Sequence, residues 1–351
     1  MSIDIIKLLE ENNIIGMGGA CFPAHKKWIR VNEAQDKERY VVCNASEGEP
    51  GVYKDIHIMK NDLGLTFVGI KAAMEYIGAK KTYFYLKQKS LDQIKDHMDK
   101  LINDYKDMGF EIEVFIAPPK YLAGERNSLM SVIEGKKLEP IIRKPSPSIA
   151  GINGHPTLIQ NIETLFNVGQ VIENRFKNTR FATINGNIPS PGVHEVNRQL
   201  TVKEILDSTG NWPSFDFFVQ VGGGAAGHIY NKEQLSTQPL TGSGSIDIHP
   251  TDTNLKDLMM QWFMFFHVES CGKCAPCKNG AYQIYELVKN NDEVPWSEIV
   301  KLSYMAKRAS FCGLGVSIAN PIESLITNVV FPNSQIEKNQ IISKENTNNN
   351  Q

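Results

Sequence analysis

Tyr40-Val41-Val42-Cys43-Asn44-Ala45-Ser46-Glu47-Gly48-Glu49-Pro50-Gly51 is the stretch whose reading decides the fold. Its first four residues are aromatic, β-branched or apolar, which is the composition of a buried strand. The run then breaks into Asn, Ser, Gly and Pro, the residues of turns. Outward from it, strands and helices alternate. Ile5, Ile6, Leu8 and Leu9 mark a short helix within 3–13, ending at Asn12-Asn13. A helix is expected over 62–78, a strand over Thr82 to Leu86, a helix over 90–106 and a strand over Glu111 to Ile116. Glu125 to Glu134 fits a helix stopped by Gly135. A crossing loop with Pro140, Pro145, Pro147 and Pro156 leads to a helix from Ile159 to Arg175. This alternation predicts an α/β domain with a largely parallel sheet over residues 1–175.

The pattern then changes. Residues 176–250 hold short strands, the triplet Gly222-Gly223-Gly224 and one helix start, Thr201-Val202-Lys203-Glu204, which fits a capping box. A small α+β module is expected there. From Leu255 the pattern is helical and contains four of the six cysteines, so 251–333 reads as a helical domain. The polar segment 334–351 is expected to be disordered. There is no repeat with a period of 20–50 residues.

The chain has 351 residues, with 37 Lys and Arg against 39 Asp and Glu, a formal charge of −2. That balance argues against a nucleic-acid binder. Apolar residues make up 41%, enough for hydrophobic cores. No stretch approaches the roughly 20 apolar residues of a membrane span; Leu258 to Phe266 is short and interrupted by Gln261. Asp4, Lys7, Glu10 and Glu11 rule out reading the N-terminus as a secretory signal. A cytoplasmic protein without direct membrane insertion is expected.

Three segments carry chemistry. In Cys271-Gly272-Lys273-Cys274-Ala275-Pro276-Cys277, three thiols recur at a spacing that wraps one face of an iron–sulfur cluster, with Cys312 as the remote fourth ligand. A structural zinc on the same four cysteines is the alternative, although zinc usually takes two paired Cys-x-x-Cys knuckles. Cys21 and Cys43 read as ordinary buried thiols. Gly16-Met17-Gly18-Gly19-Ala20 is a turn whose backbone N–H groups can approach a phosphate. Lys26 and Lys27 follow it, either to neutralise that phosphate or as a solvated pair. The loop Asn44 to Gly51 lies at the carboxyl end of a strand, where α/β sheets bind ligands, though an acidic turn is commonly just solvated.

Taken together and in order, these segments resemble the flavin subunit of respiratory complex I and the related diaphorase subunits of NAD-linked hydrogenases and formate dehydrogenases. The family turn Gly-Arg-Gly-Gly-Ala-Gly-Phe-Pro appears as Gly16 to Pro23. Its Cys-Asn-Ala-Asp-Glu-Gly-Glu-Pro-Gly appears as Cys43 to Gly51, and its Tyr-Ile-Cys-Gly-Glu-Glu-Thr-Ala-Leu as Tyr121 to Leu129. Pro156 to Thr164 matches Pro-Thr-x-x-Asn-Asn-x-Glu-Thr, and Glu269 to Gly280 matches the cysteine run. The resemblance covers about residues 14–330. It implies a Rossmann-like flavin domain, a β-grasp-like soluble-ligand-binding module and a C-terminal helical iron–sulfur domain. It implies FMN near Gly16, Gly18, Gly19, Lys27, Asn44, Glu47, Tyr121, Gly124, Glu125, Asn161 and Thr164. NAD(H) or NADP(H) would lie near Phe22 and Glu49, with Glu49 as the catalytic candidate that orients the carboxamide or a water. Cys271, Cys274, Cys277 and Cys312 would hold one [4Fe–4S] cluster.

The departures from the family cluster on the nucleotide side. Met17 replaces Arg, Ser46 replaces Asp, Gln160 replaces Asn and Arg126 replaces Glu. Lys87-Gln88-Lys89-Ser90 and Ala117-Pro118-Pro119-Lys120 also break the pattern. The function implied is electron input, from NAD(P)H through FMN to the cluster and on to a partner. That partner would be a thioredoxin-like [2Fe–2S] subunit or a hydrogenase or quinone-reductase subunit. The alternatives are a flavin and cluster relay that has lost its nicotinamide site, and a non-catalytic metal-binding scaffold.

Overall fold

The computed structural model describes residues 4–36, 38–141 and 145–332; the expected disordered segment 334–351 lies outside them. The chain divides into two compact units. The first comprises the described residues up to Gly48, then Tyr53–Phe181 and Glu195–Arg198. The second comprises Glu49–Val52, Ala182–His194 and the described residues from Gln199 onward.

The first unit is built on a four-stranded parallel sheet of β1 (Tyr40–Ala45), β2 (Lys81–Lys87), β3 (Glu111–Ala117) and β4 (Thr157–Asn161), in the order β3-β2-β1-β4. Val41, Val42 and Cys43 are fully buried, as their composition requires. Helices α1 (Ile5–Glu11) and α2 (Ala24–Asn32) precede the sheet. Helices α3 (Lys54–Asn61) and α4 (Leu63–Ile77) link β1 to β2. The one-turn α5 (Gln88–Leu91) and α6 (Lys95–Asp107) link β2 to β3, and α7 (Arg126–Ile133) follows β3. Leu129 and Met130 of α7 pack with Val42, Tyr85 and Ile159 in one apolar cluster under the sheet.

The expected helix from Ile159 to Arg175 is corrected by the structure. Thr157–Asn161 is the strand β4, paired in register with β1 from Tyr40↔Thr157 to Asn44↔Asn161, and α8 covers only Ile162–Ile172. An apolar run cannot by itself separate a buried strand from a buried helix. The boundary is set by Asn161, whose side-chain oxygen accepts from Glu163 N at 3.1 Å and caps α8. The expected 90–106 helix is likewise split into α5 and α6.

The second sheet has the order β6-β5-β9-β7-β8, from β5 (Thr179–Asn185), β6 (Gly192–Asn197), β7 (Phe217–Val221), β8 (His228–Asn231) and β9 (Ser245–Pro250). Its first and last strands, β5 and β9, are adjacent and parallel, while β7 pairs antiparallel with β8 and β9. This is the β-grasp-like arrangement. The helix α9 (Val202–Ser208) opens with the expected capping box between Thr201 and Glu204. The C-terminal part is helical: α10 (Leu255–Glu269), α11 (Ala275–Asn290), α12 (Trp296–Ala309), the one-turn α13 (Gly313–Val316) and α14 (Ala319–Leu325). No helix among the described residues is long and apolar enough to cross a membrane.

Candidate functional site

Strand order reverses between β1 and β4, and open α/β sheets bind ligands at the carboxyl ends of the strands flanking such a point. Asn44 and Asn161 stand side by side at the ends of the two strands, and Asn161 Nδ2 donates to Asn44 O at 3.2 Å. Asn44 Nδ2 donates to Gly124 O at 3.0 Å, and its Oδ1 accepts from Ser46 N at 3.2 Å. Asn44 therefore ties the loop after β1 to the turn Tyr121–Gly124. The Gly-rich turn is tied to the same place. Met17 N donates to Thr164 Oγ1 in the first turn of α8 at 2.9 Å, and a Cβ on Gly18 would lie 3.5 Å from Asn161 Cβ. Gly19 has φ +98°, which glycine adopts without strain. The Met17 side chain is buried, so it anchors the turn rather than facing a ligand. A glycine turn beside the positive end of an eleven-residue helix is a fit for a phosphate.

Beneath this turn lies a charge cluster that sequence reasoning missed. Lys54 Nζ lies 2.6 Å from Asp55 Oδ1 and 3.1 Å from Glu163 Oε2, with all three side chains buried. Lys54 also donates to Asn161 Oδ1 at 3.0 Å, and Asn161 Nδ2 donates to Asp55 Oδ2 at 3.1 Å. Glu163 Oε1 accepts from Phe181 N at 2.8 Å. Glu47 joins from the β1 loop, accepting from Asp55 N at 3.1 Å. Burial pulls the Lys54 ammonium down, but Asp55, Glu163 and Glu47 outweigh it and push it up. Burial first, then Asp55, pushes the Glu47 carboxyl up to about 8, and burial likewise raises Asp55. A signal for the cluster existed. Lys54 and Asp55 share a helical face with the buried Ile58 and Met59, and Glu163 interrupts the apolar run of α8.

The other expected residues are placed as follows. Lys27 on α2 is half-buried and donates to Ile159 O, while burial first and Arg126 second lower its ammonium to about 8. Arg126 is exposed at the start of α7. Glu125 caps that helix, its Oε2 accepting from Asn127 N, Ser128 N and Ser128 Oγ at 2.8–3.0 Å. Phe22 is 38% exposed, with the Arg30 guanidinium 5.1 Å from its ring centroid. Glu49 belongs to the second unit, where its Oε1 accepts from Ala226 N at 3.2 Å and its carboxylate occupies the space a Cβ on Gly223 would need. Of the two lone cysteines, Cys43 is buried as expected, but Cys21 is exposed. That correction follows from its place at the end of the glycine turn, with φ +49°.

The four remaining cysteines share one neighbourhood. Cys274 is the N-cap residue of α11 and Cys277 sits one turn in; Cys271 lies in the loop after α10, and Cys312 precedes α13. Burial pushes the Cys277 thiol up to about 11, Ser270 draws it back, and the charges of Cys274, Cys312 and Cys271 add to the rise. A metal group is needed to deprotonate such thiols. Gly272 turns the loop with φ +80°. Gly315 lets α13 approach α11, since a Cβ there would lie 3.0 Å from Cys277 Cβ. The Ser310 hydroxyl alongside is buried with no hydrogen-bond partner. Among the described residues no three His, Cys, Asp or Glu side chains converge closely enough to hold a single metal ion. Cys271, Cys274 and Cys312 all act on Cys277, so the four thiols form one donor set of the kind an iron–sulfur cluster uses.

Comparison with known proteins bears on both regions of the chain. Residues 9–170 match the Nuo51 FMN-binding domain, and residues 257–333 match the NADH-ubiquinone oxidoreductase-F iron–sulfur binding region. The chain belongs to this flavin and iron–sulfur family. Among its relatives is an F-type NADH-quinone oxidoreductase protein of Rhizobium meliloti, 27% identical over 89% of this chain and 83% of that protein. Another is the alpha subunit of the NAD-reducing hydrogenase HoxS of Cupriavidus necator, 27% identical over 97% of this chain but 61% of that protein. The HndC protein of the NADP-reducing hydrogenase of Solidesulfovibrio fructosivorans is 28% identical over 92% of this chain and 73% of its own length. A crystal structure of an NAD+-reducing [NiFe]-hydrogenase superposes with a TM-score of 0.84 at 27% identity, covering 92% of this chain and 61% of that one. The glycine turn, the switch point and the buried charge cluster fall within the family's FMN-binding domain, apart from Phe181. All four clustered cysteines fall within its iron–sulfur region.

Proposed function

We propose that this chain is an electron-input subunit of NAD(P)H dehydrogenase type. It takes electrons from a nicotinamide nucleotide through FMN to one [4Fe–4S] cluster and passes them to a partner protein. The observation that carries this reading is that one chain holds both parts. A glycine turn is fastened by Thr164 to the start of α8 at the switch point, and four thiols gather around the start of α11. FMN, when bound, supplies the exchange between a two-electron donor and a one-electron acceptor.

The chain's own residues bind and position. Gly16, Gly18 and Gly19 offer backbone to the phosphate, with Lys27 supplying charge, and Asn161 and Thr164 fix the turn. Asn44, Glu47, Tyr121, Gly124 and Glu125 shape the edge between the β1 loop and α7. This flavin reading rests on residues of the first unit alone. Cys271, Cys274, Cys277 and Cys312 hold the cluster, and the positive start of α11 favours its anionic charge. The names of the relatives support assembly with hydrogenase or quinone-reductase subunits, and a thioredoxin-like [2Fe–2S] subunit is the partner we expect. A run of three cysteines that reads as a cluster site supports a reducing, cytoplasmic location.

The test is the visible spectrum of the purified chain, followed by anaerobic titration with NADH and NADPH. Flavin bands over broad iron–sulfur absorption, both bleached by a nucleotide, are expected. A colourless zinc protein would overturn the reading.

A further inference from the structure

Two serine hydroxyls flank Cys277, the one buried thiol of the four that cluster. Each serine closes a helix and stands just before a cysteine. Ser270 closes α10, its N–H donating to Phe266 O at 3.1 Å. Its hydroxyl oxygen accepts from Gly272 N at 3.3 Å and from the Cys277 thiol at 3.3 Å. As a thiol, Cys277 is the donor at this contact. As an iron-bound thiolate it has no proton to give, and the same contact is made by turning the hydroxyl into the donor. Ser310 closes α12, its N–H donating to Ala306 O at 3.0 Å. Its hydroxyl oxygen is buried and has no hydrogen-bond partner among the described residues. The approach of α13 fixes where that hydroxyl lies. Ser310 Oγ and Cys277 Cβ are 2.3 and 3.0 Å from the point that a Cβ on Gly315 would occupy, so only glycine leaves room for both. A buried hydroxyl without a partner is costly, and the fold keeps this one beside Cys277.

We infer that Ser270 and Ser310 donate hydrogen bonds to sulfur on the Cys277 side of the cluster, and that together they raise its reduction potential. This rests on the reading that Cys271, Cys274, Cys277 and Cys312 hold one [4Fe–4S] cluster. Four thiolates make such a cluster an anion in both redox states. Uptake of one electron adds one negative charge, shared by its sulfurs. The electron comes from the flavin or, in a titration, from a chemical reductant. No proton moves, because the hydroxyl protons stay on the serines. A hydroxyl aimed at sulfur therefore stabilises the reduced cluster more than the oxidised one, and the potential rises. The effect is strongest at Cys277. Cys271, Cys274 and Cys312 are partly exposed and can take such bonds from water, whereas Cys277 is 3% exposed and depends on the chain. The two donors come from the two segments that bring the cysteines, one before Cys271 and one before Cys312.

The test is an anaerobic redox titration of the full chain, with the reduced cluster followed by electron paramagnetic resonance. Wild type, Ser270→Ala, Ser310→Ala and Ser270→Thr are compared, after iron and sulfide have been measured in each. Both alanine variants should carry the full complement of iron and titrate at a lower potential. The expected fall is up to about tenfold in the one-electron equilibrium for each serine, or about 59 mV. Ser270→Thr keeps the hydroxyl and should titrate with the wild type. A serine that only closes its helix would alter stability or iron content and leave the potential of the loaded cluster where it was. Should an alanine variant lose its iron, Raman spectra of the wild type in light and heavy water decide. Hydroxyl bonds to sulfur make the iron–sulfur stretching bands shift on exchange, and bands that do not shift overturn the inference. Loaded alanine variants with the wild-type potential overturn it too, while leaving the cluster reading intact. A wild type that binds zinc and no iron–sulfur cluster overturns both.

Discussion

Lys27 shows how one side chain links the sequence to a measurable property. Its ammonium is lowered to about 8 by burial and by Arg126. Below that value it is charged in the folded chain and able to hold a phosphate; above it, the charge is lost. FMN affinity should fall by about tenfold, the worth of one charge-assisted contact, between pH 7 and about 9.5. Lys27→Met should bind more weakly and show a flattened pH profile. The stability of the flavin-free chain runs the other way. A lysine whose folded pKa is depressed binds fewer protons folded than unfolded between about 8 and its ordinary 10.5, so its contribution to stability rises with pH over that window. Arg126 is expected to bear on the choice between NADH and NADPH. It places a cation at the start of α7, where the family pattern has an acid that can bond ribose hydroxyls and repel a 2′-phosphate. Arg126→Glu should shift the ratio of NADPH to NADH reduction rates at least about tenfold towards NADH, roughly the worth of removing one exposed cation and adding an anion. It should also move the Lys27 inflection to higher pH. A strong NADH preference in the wild type, unchanged in the variant, would refute the assignment.

At the scale of elements, the sequence was legible wherever one residue type admits one explanation. The Tyr40-Val41-Val42-Cys43 run and the Thr201 capping box each became the element expected of them. It was opaque where meaning depends on a distant partner. Thr157–Asn161 is apolar enough for either a strand or a helix, and only pairing with β1 decides. Lys54 and Asp55 look like surface charges until Glu163, more than a hundred residues later, closes over them. Gly69 and Gly169 are also silent in the sequence. They sit at the crossing of α4 and α8, where a Cβ on Gly69 would overlap Leu165 O and one on Gly169 would overlap Leu65 O. Ala normally favours a helix over Gly by about 1 kcal/mol, but here the overlap should win, and each Gly→Ala change should destabilise the chain by about 1–3 kcal/mol in denaturant melts. The cysteines allow a comparable contrast. Cys312→Ala should lose or convert the cluster, whereas Cys21→Ala, on the exposed turn, should leave the iron content unchanged. Equal iron loss in both would remove Cys312 from the ligand set.

For the whole molecule, each proposed cofactor site falls in a different compact unit, with the residues proposed for FMN in one and the clustered cysteines in the other. A ligand that binds only folded protein stabilises what it binds, by about 2.7 kcal/mol at a hundred times its dissociation constant. A metal cluster whose ligands are scattered in the unfolded chain contributes its binding energy directly to folding. The units are not simple beads on a string, because Glu49–Val52 lies in the second while the residues on either side lie in the first. That segment is fastened by Ala226 N to Glu49, by Gly224 N to Pro50 O at 2.9 Å, and by Asn185 Nδ2 to Gly51 O at 2.8 Å. Asn185 is braced in turn by Asp247, whose carboxyl burial pushes up to about 6. Scanning calorimetry should therefore resolve two transitions. FMN should raise one by roughly 5 °C or more, given the few degrees expected per kcal/mol for units of this size. Removal of iron by a chelator should lower the other. Asp247→Asn, which loosens the clasp on Gly51 without touching either proposed cofactor site, should draw the transitions further apart. A single transition moved equally by FMN and by chelation would show instead that the two units unfold as one.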